Sequence, residues 1–242
     1  MDAIVGTAGW SIGANAAAFG DGESSLARYA TRFTGVEINS SFHRPHRPAT
    51  WARWAESVPA GFRFAVKLPK TITHERKLAG CADLVAQFLD EAGGLGPKLA
   101  LLLVQLPPKL AFEPGLAEDF LGDLKRRSTA HVACEPRNPS WFEPSADALL
   151  DRLGVARVAA DPAIVPAAAL PGGWRGLAYW RLHGSPRIYR SAYGDDRVQA
   201  YARAIGVELA AGREVWCMFD NTASSAAIGD ALALTASLQV RE

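Results

Sequence analysis

The sequence contains few cysteines, almost no excess charge and no long apolar run. Its three cysteines are widely spaced and form no CxxC pair, which indicates reduced core thiols rather than disulfides or a zinc site. The 26 basic and 25 acidic residues leave a net charge of +1, so a strongly cationic nucleic-acid binder is excluded, although a local basic patch is not. The N-terminal residues lack a signal-peptide pattern, and no apolar run approaches the length of a membrane span. We therefore expect a cytoplasmic protein without a membrane partner.

Eight short segments rich in apolar and β-branched residues stand out from this background, and each ends on a polar residue or glycine. Several are continuous apolar runs, as expected for strands of a parallel sheet that are buried on both faces. The predicted strands are residues 3–9, 35–39, 63–67, 99–105, 131–137, 156–161, 178–183 and 214–220.

Segments with helical periodicity separate most of these strands. Leu26, Tyr29, Ala30 and Phe33, for example, follow the i, i+3, i+4, i+7 pattern, and only residues 162–176 lack a clear helix. Strand ends recur every 22 to 38 residues, which matches eight βα units in a barrel of about 250 residues. We predict an α/β fold, a TIM-like (β/α)8 barrel, as one domain over residues 1–242. The alternative, a doubly wound open sheet, usually carries a glycine-rich phosphate turn, and GTAGW at residues 6–10 is not one.

The predicted strand ends are unusually polar. Residues two apart on a strand share a face, which pairs Glu37 with Asn39 and Arg181 with His183. Burying so many charges in a barrel mouth is costly unless they pair with each other or with a ligand. The remaining polar strand ends are Lys67, Gln105, Glu135, Arg137, Asp161 and Asp220.

Four of these residues are the predicted catalytic groups: Glu37, Glu135, Asp161 and His183. Glu37 and Glu135 suit a general acid and base, or an acid and a nucleophile as in glycoside hydrolysis, where their separation decides between the two. The alternative is that each glutamate balances a cation across the barrel. His183 is the proton-transfer candidate because it is the only histidine at a strand end.

Cations and aromatic residues supply the predicted ligand contacts. Arginine is suited to bidentate contacts with carboxylate or phosphate, although pairing with the glutamates is the alternative. Trp10 and Trp141 follow strands and either stack on a ring of the ligand or cap the core. Tyr189 lies in an Arg/Tyr-rich loop at residues 185–193, which suits a lid or an ordinary surface loop. The predicted ligand-binding residues are Trp10, Asn39, Lys67, Gln105, Arg137, Trp141, Arg181, Tyr189, Asp220 and Asn221.

A metal site is a weaker hypothesis. His43 and His46 have HxxH spacing, but they lie in a proline-rich loop where such pairs are commonly exposed. Cations at the predicted mouth would repel a metal ion, so we expect neither metal nor cofactor, with a carboxylate-held Mg²⁺ left open.

Eight collinear motifs resemble those of the YecE-like barrels, a family of unknown function. They are GTAGW at 6–10, VEINSSF at 36–42, GFRFAVK at 61–67, TH at 73–74, QLPP at 105–108, EPRNPSW at 135–141, RLHG at 181–184 and FDNT at 219–222. The resemblance implies a TIM-like barrel and carries no settled activity. The chain departs from the pattern with His43 where Tyr is common, Asn138 where His is common, and Pro136 between Glu135 and Arg137. Proline in a central strand removes a ladder donor and predicts a bulge.

These observations favour an enzyme that performs acid–base chemistry, of hydrolase or lyase type, on a small polar or anionic ligand. A nucleic-acid-binding or processing barrel, similar to the barrel endonucleases, is one alternative, because the 185–193 loop mixes cations with aromatics. A non-catalytic ligand sensor that uses the same pocket is the other. The sequence does not define the oligomeric state.

Overall fold

The computed structural model describes residues 2–239. Residues 1 and 240–242, the ends of the predicted 1–242 domain, lie outside the described residues. The strands are β1 Ile4–Thr7, β2 Gly35–Ile38, β3 Arg63–Lys67, β4 Leu99–Gln105, β5 His131–Glu135, β6 Val155–Arg157, β7 Ala159–Asp161, β8 Gly172–Gly173, β9 Leu177–Leu182 and β10 Glu214–Phe219. The helices are α1 Ser25–Tyr29, α2 Ser40–His43, α3 Pro48–Glu56, α4 Ala82–Ala92, α5 Pro114–Arg127, α6 Pro144–Arg152, α7 Asp195–Ala210 and α8 Ala226–Gln239.

The parallel strands close into a barrel with eight strand positions, called staves here. Strands β6 and β7 together form one stave. One ladder runs from β2 through β3, β4 and β5 to β6, and the other runs from β7 through β9 and β10 to β1. The shared stave is interrupted at Val158, whose amide donates to the carbonyl of Cys134 at 2.8 Å. Its first half therefore pairs with β5 and its second half with β9.

The ring is completed between β1 and β2, where regular pairing is reduced to one bridge between Ala8 and Glu37. The Tyr29 hydroxyl on α1 reinforces this seam. It accepts a hydrogen bond from the Thr7 amide at 2.9 Å and donates to the Gly35 carbonyl at 3.2 Å. Because the ring is closed, the carboxyl ends of all eight staves meet at one rim.

Two apolar layers hold the barrel together. The outer layer lies between strands and helices, and α4 illustrates it by burying Val85, Phe88 and Ala92 at helical spacing. The inner layer fills the barrel with side chains from alternating strand positions, so the interior is a packed core. Its members include Ala65, Leu101, Leu103, Ala133, Val158, Tyr179, Trp216 and Met218.

The eight predicted strands and the barrel are confirmed, with two adjustments. Strand β5 ends at Glu135, and its register with β4 is continuous, so the bulge predicted at Pro136 is wrong. The proline follows the last ladder pair, where its missing amide costs nothing. Residues 162–176, predicted without a clear helix, contain a 3₁₀ turn at Pro166–Ala169 and the two-residue strand β8. None of the helices described is long and apolar enough to cross a membrane.

Candidate functional site

A network of buried charges lies at the carboxyl end of the barrel, and Arg181 of β9 is its centre. The Arg181 side chain is fully buried, and it donates to Glu37 through Nε (2.9 Å) and Nη2 (2.7 Å). Nη1 donates to Glu135 at 2.6 Å, and Nη2 also donates to Asp220 at 2.9 Å. One guanidinium therefore binds three carboxylates from β2, β5 and the end of β10.

His183 lies directly beside this guanidinium and is also fully buried. Its Nδ1 is 3.0 Å from Asp220 Oδ2, and its Nε2 is 2.9 Å from Glu135 Oε1. Arg137 Nη2 lies 2.9 Å from the same Nε2 and donates to Glu135 at 2.5 Å. An imidazolium can donate to both carboxylates, whereas a neutral ring protonated on Nδ1 can accept from Arg137. Both protonation states of His183 are thus hydrogen-bonded, as a proton-transfer group requires.

Glu135 and Asp220 are held in their ionised form. Burial raises the pKa of Glu135, but the charges of Arg181 and Arg137, with His183, outweigh it and hold that pKa well below its ordinary value. The same balance between burial and Arg181 lowers the pKa of Asp220. In turn the three carboxylates raise the pKa of Arg181 well above its ordinary value, although burial opposes them. Every charge in the centre of the network has a permanent partner.

Glu37 and Glu135 are bridged by one cation. The Arg181 guanidinium lies between the two carboxylates, and both are 0% exposed. Glu37 also accepts a hydrogen bond from the Tyr179 hydroxyl at 2.8 Å, so both of its oxygens are engaged. The structure supports the alternative predicted for these glutamates, in which they balance cations across the barrel.

Lys67, at the end of β3, differs from the other cations. Its Nζ lies 4.2 Å from the centre of the Phe42 ring, and it has no hydrogen-bond or salt-bridge partner among residues 2–239. The residue is only 8% exposed. Burial and the nearby charge of Arg181 lower the pKa of Lys67 to about 8, even though carboxylates of the network act in the opposite direction.

Two further polar atoms beside the network are buried without a partner in the described part of the chain: Arg137 Nε and Asn39 Oδ1. The Asn39 amide group reaches only Asp220, at 3.5 Å. An unsatisfied buried polar group costs about 1–3 kcal/mol, so such atoms are uncommon unless something else binds them. They lie at the same end of the barrel as Lys67.

The loop after β9 covers one side of the network. The Tyr189 amide donates to the His183 carbonyl at 2.5 Å, and the Tyr189 ring stands edge-on to the imidazole at 5.7 Å. The Tyr193 hydroxyl anchors the loop by donating to Asp161 at 2.6 Å and accepting from the Gly184 amide at 2.9 Å. Tyr189 itself is 44% exposed, so it stands between His183 and solvent.

Three predicted site residues lie outside the network. Asp161 pairs in register with Leu182, on the outer face of the barrel, where it binds Tyr193 and Arg197. Trp141 is 1% exposed and donates to the Leu110 carbonyl. It therefore caps the core, the second of the two alternatives predicted for it.

Asn221, the third, is buried and donates to the Ser191 carbonyl at 2.9 Å and to Asp230 at 2.6 Å. It holds the loop after β9 against α8 rather than facing the mouth. Arg181, which was predicted to bind the ligand, lies in the centre of the network. Its donors are engaged by carboxylates, so it does not offer them to a ligand.

Gln105 and Trp10 border the network without joining it. Gln105 is half-buried and pairs in register with Glu135, which places it on the inner face of the barrel. Trp10 packs edge-on against Trp54 at 5.1 Å. A cavity of about 430 Å³ extends from Asn39 along Trp10, with Ala8, Gly9, Ser11, Ser25 and Ser40 completing its lining.

Sequence reasoning did not single out Tyr179, Phe42 and His74. Tyr179 precedes Arg181 by two residues on β9, so strand alternation was a usable signal for it. Phe42 and His74 follow strands on short helical turns, and their rings meet edge-on at 4.9 Å. His74 Nδ1 is 2.9 Å from Thr73 Oγ1. Burial, together with Lys67 and Arg137, lowers the pKa of His74.

The HxxH pair does not converge on one point. His46 Nε2 is 2.8 Å from Ser40 Oγ, whereas His43 packs edge-on against Phe42 at 5.0 Å. Within residues 2–239, no group of three His, Cys, Asp or Glu side chains has the arrangement of a metal site.

Comparison with known proteins assigns a family. Residues 4–242 match the family described as "Protein of unknown function DUF72". The UPF0759 protein YecE of Escherichia coli K12 is 34% identical over 154 residues, which cover 61% of this chain and 56% of YecE. YecE of Escherichia coli O157:H7 is 38% identical over 86 residues, covering 36% of this chain and 32% of that protein. The matched region thus spans little more than half the length of the first relative and about a third of the second.

Solved structures agree at the level of the fold. A DUF72 family protein from Enterococcus faecalis V583 superposes with a TM-score of 0.79 at 20% identity, covering 97% of this chain and 94% of that one. A DUF72 family protein from Thermotoga maritima MSB8 gives 0.78 at 20% identity, covering 98% and 100%. A xylose isomerase-like TIM barrel/4-hydroxyphenylpyruvate dioxygenase fusion protein gives 0.57 at 13% identity, covering all of this chain and 44% of the fusion. On the match across residues 4–242, the chain belongs to the DUF72 family, in agreement with its resemblance to the YecE-like barrels.

Proposed function

We propose that the mouth of the barrel binds a small anionic metabolite and acts on it by proton transfer. The observation that carries the proposal is the uneven pairing of the charges. Glu37, Glu135 and Asp220 are engaged by Arg181, Arg137 and His183. The Lys67 ammonium and Arg137 Nε are left without partners among the described residues.

An anion is the ligand that such unpaired donors favour. A carboxylate or phosphate would accept hydrogen bonds from Lys67 and Arg137 Nε, and it would compensate the positive charge that Lys67 leaves unpaired. A cation would find the carboxylates already paired with Arg181, Arg137 and His183. The cavity along Trp10 gives room for a ligand larger than the anionic group itself.

His183 supplies the proton transfer in this proposal, and Tyr189 limits the access of water to it. The proton is exchanged between the ligand and Nε2, which lies between Glu135 and Arg137, and Asp220 fixes the ring through Nδ1. General acid–base catalysis by a positioned histidine contributes about 10²–10⁴-fold in rate. Glu37, Glu135 and Arg181 are positioning residues here, because they hold the histidine and the mouth rather than contacting the ligand.

Binding is tested by thermal unfolding with phosphate, lactate, malate and citrate, against sodium chloride at matched ionic strength. We expect at least one anion to raise the melting temperature, since a ligand that binds only the folded state stabilises it. Lys67→Met and Arg137→Met should remove that increase. Lys70→Met is the matched control, because Lys70 is exposed and paired with Glu75. An equal increase in wild type and Lys67→Met would contradict the anion site.

Proton transfer is tested by incubating the wild type in D₂O with each anion that binds and following the metabolite by NMR. We expect deuterium incorporation or conversion, reduced at least tenfold in His183→Asn. An anion that binds and returns unchanged and undeuterated would favour the sensor alternative over an enzyme.

A further inference from the structure

We propose that Lys67 is a nucleophile that forms an imine with small 2-oxo carboxylates. This inference rests on the proposed anion site and names the substrate class for it: a carbonyl carbon next to a carboxylate. The amine lies at the end of β3, beneath the mouth of the barrel. An unpartnered guanidinium nitrogen, Arg137 Nε, lies at the same end to bind the carboxylate.

The surroundings of Lys67 differ from those of other lysines in the chain. Lys70 forms a salt bridge with Glu75 at 3.3 Å, and Lys98 donates to the carbonyls of Ala55 and Val58. Lys67 has neither kind of contact within residues 2–239, although three carboxylates lie close enough to affect its pKa. A buried lysine amine that packs against an aromatic ring and forms no salt bridge is the kind of desolvated lysine that serves as a nucleophile.

The lowered pKa of Lys67 favours the same chemistry. With its pKa lowered to about 8 by burial and Arg181, about one Lys67 side chain in ten is neutral at pH 7. An exposed lysine with an ordinary pKa is neutral in fewer than about one molecule in a thousand at that pH. Only the neutral amine has the lone pair needed to attack a carbonyl carbon, so Lys67 has the advantage over surface lysines.

The reaction needs only the amine, the carbonyl compound and two proton transfers. The Nζ lone pair attacks the carbonyl carbon, a C–N bond forms, the C=O π pair moves to the oxygen, and one Nζ proton is transferred to that oxygen to give a neutral carbinolamine. The second Nζ proton is then transferred to the hydroxyl, the C–O bond breaks to release water, and the Nζ lone pair forms the C=N bond of the imine. His74 is placed to carry these protons, because its ring and Lys67 Nζ both contact Phe42 and only its Nδ1 is engaged.

Trapping with sodium cyanoborohydride tests the proposal. The reagent adds hydride to the imine carbon and converts a reversible adduct into a stable secondary amine, which peptide mapping by mass spectrometry locates. With pyruvate or glyoxylate, we expect Lys67 to be labelled at least tenfold faster than Lys70. The rate of labelling should rise with pH from 6.5 to about 8. Lys67→Arg should abolish the adduct, Lys70→Arg should retain it, and lactate should slow it by competing for the anion site.

The outcomes separate this inference from the proposed function. If pyruvate and lactate both raise the melting temperature but no adduct forms on Lys67, the imine is refuted and the anion site stands. Adducts spread evenly over the lysines, or retained in Lys67→Arg, would refute it equally. If no adduct forms and neither these three compounds nor phosphate, malate and citrate raise the melting temperature, both proposals are overturned.

Discussion

At Arg181, burial and pairing act in opposite directions. Removing a guanidinium from water costs several kcal/mol, and only close contact with opposite charge offsets that cost. The four hydrogen bonds to Glu37, Glu135 and Asp220 supply this contact. The network is consequently stable only when complete, since removing one member leaves its partners charged and buried.

Arg181→Met should therefore destabilise the protein by about 3–5 kcal/mol, the usual effect of breaking a buried ion pair from one side. Urea unfolding monitored by tryptophan fluorescence measures this loss. Arg190→Met, at an exposed arginine of the loop after β9, should change stability by less than about 0.5 kcal/mol. The double variant Glu37→Gln, Arg181→Met should lose less than the sum of the single losses. A loss below 1 kcal/mol in Arg181→Met would mean that the network contributes little to the fold.

Lys67 makes stability depend on pH in the alkaline range. Its pKa is about 8 in the folded protein and 10.5 ordinarily, so between these values the unfolded chain binds a proton that the folded protein does not. The contribution of Lys67 to the free energy of unfolding therefore rises with pH across this interval, by an amount on the order of 3 kcal/mol. The buried thiols of Cys134 and Cys217, whose pKa burial raises, act in the opposite direction over the same range. Below pH 8 both states are protonated, and the cost of burying the charge is fully present.

Urea midpoints measured from pH 7.5 to 10 test this dependence. The stability of the wild type and of Lys70→Met, each relative to Lys67→Met, should increase across this range, because Lys67→Met has no amine at this position and keeps the buried thiols. Parallel pH profiles for the wild type and Lys67→Met would show that Lys67 does not titrate in this range.

At the scale of single elements, the sequence predicts where the strands end but not always which way their last side chains point. Glu37, Glu135 and Arg181 lie inside as strand alternation required, while Asp161 lies outside. Arg157, four positions before Asp161 on the same face, binds Asp147 of α6 outside the barrel, so strand alternation from Arg157 was a usable signal that Asp161 points outward. The pairings within the network were beyond reach, because they join residues of different strands that are distant in sequence, 144 positions for Glu37 with Arg181 and 46 for Glu135 with Arg181.

The loop after β9 depends on a tyrosine that the sequence analysis placed in a cationic, aromatic segment. Tyr193→Phe removes the hydroxyl that binds Asp161 and Gly184, and it leaves the Gly184 amide without its partner. We expect a loss of about 1–3 kcal/mol. Hydrogen–deuterium exchange should accelerate at the Tyr189 amide, which donates to the His183 carbonyl.

Tyr201→Phe provides the control on α7, because the Tyr201 ring packs against Tyr193 at 5.8 Å. Exchange at Tyr189 should be unchanged in this variant. If both phenylalanine variants accelerate exchange equally, packing rather than the Tyr193 hydroxyl holds the loop.

At the scale of the whole molecule, the site requires a closed ring, since its charges come from β2, β3, β5, β9 and β10. Regular ladders join the staves around the ring except between β1 and β2. There the Tyr29 hydroxyl bridges Thr7 and Gly35, and burial raises its pKa, so it remains a protonated donor. Close approach of the two strands depends on glycine, because a Cβ on Gly6 would lie 2.4 Å from the Gly35 carbonyl oxygen and 2.8 Å from the Tyr29 hydroxyl.

Gly6→Ala should therefore separate β1 from β2 and weaken the closure of the barrel. Neither close neighbour can move aside easily, because one is backbone and the other holds the seam together. We expect a loss of about 1–3 kcal/mol or more, the range for overpacking a buried position, measured as a lower melting temperature and urea midpoint. Gly61→Ala is the matched control, since a Cβ at Gly61 has no atom within 4 Å. Equal stability of the two variants would show that the seam tolerates a wider gap and that the ring is closed by its other ladders.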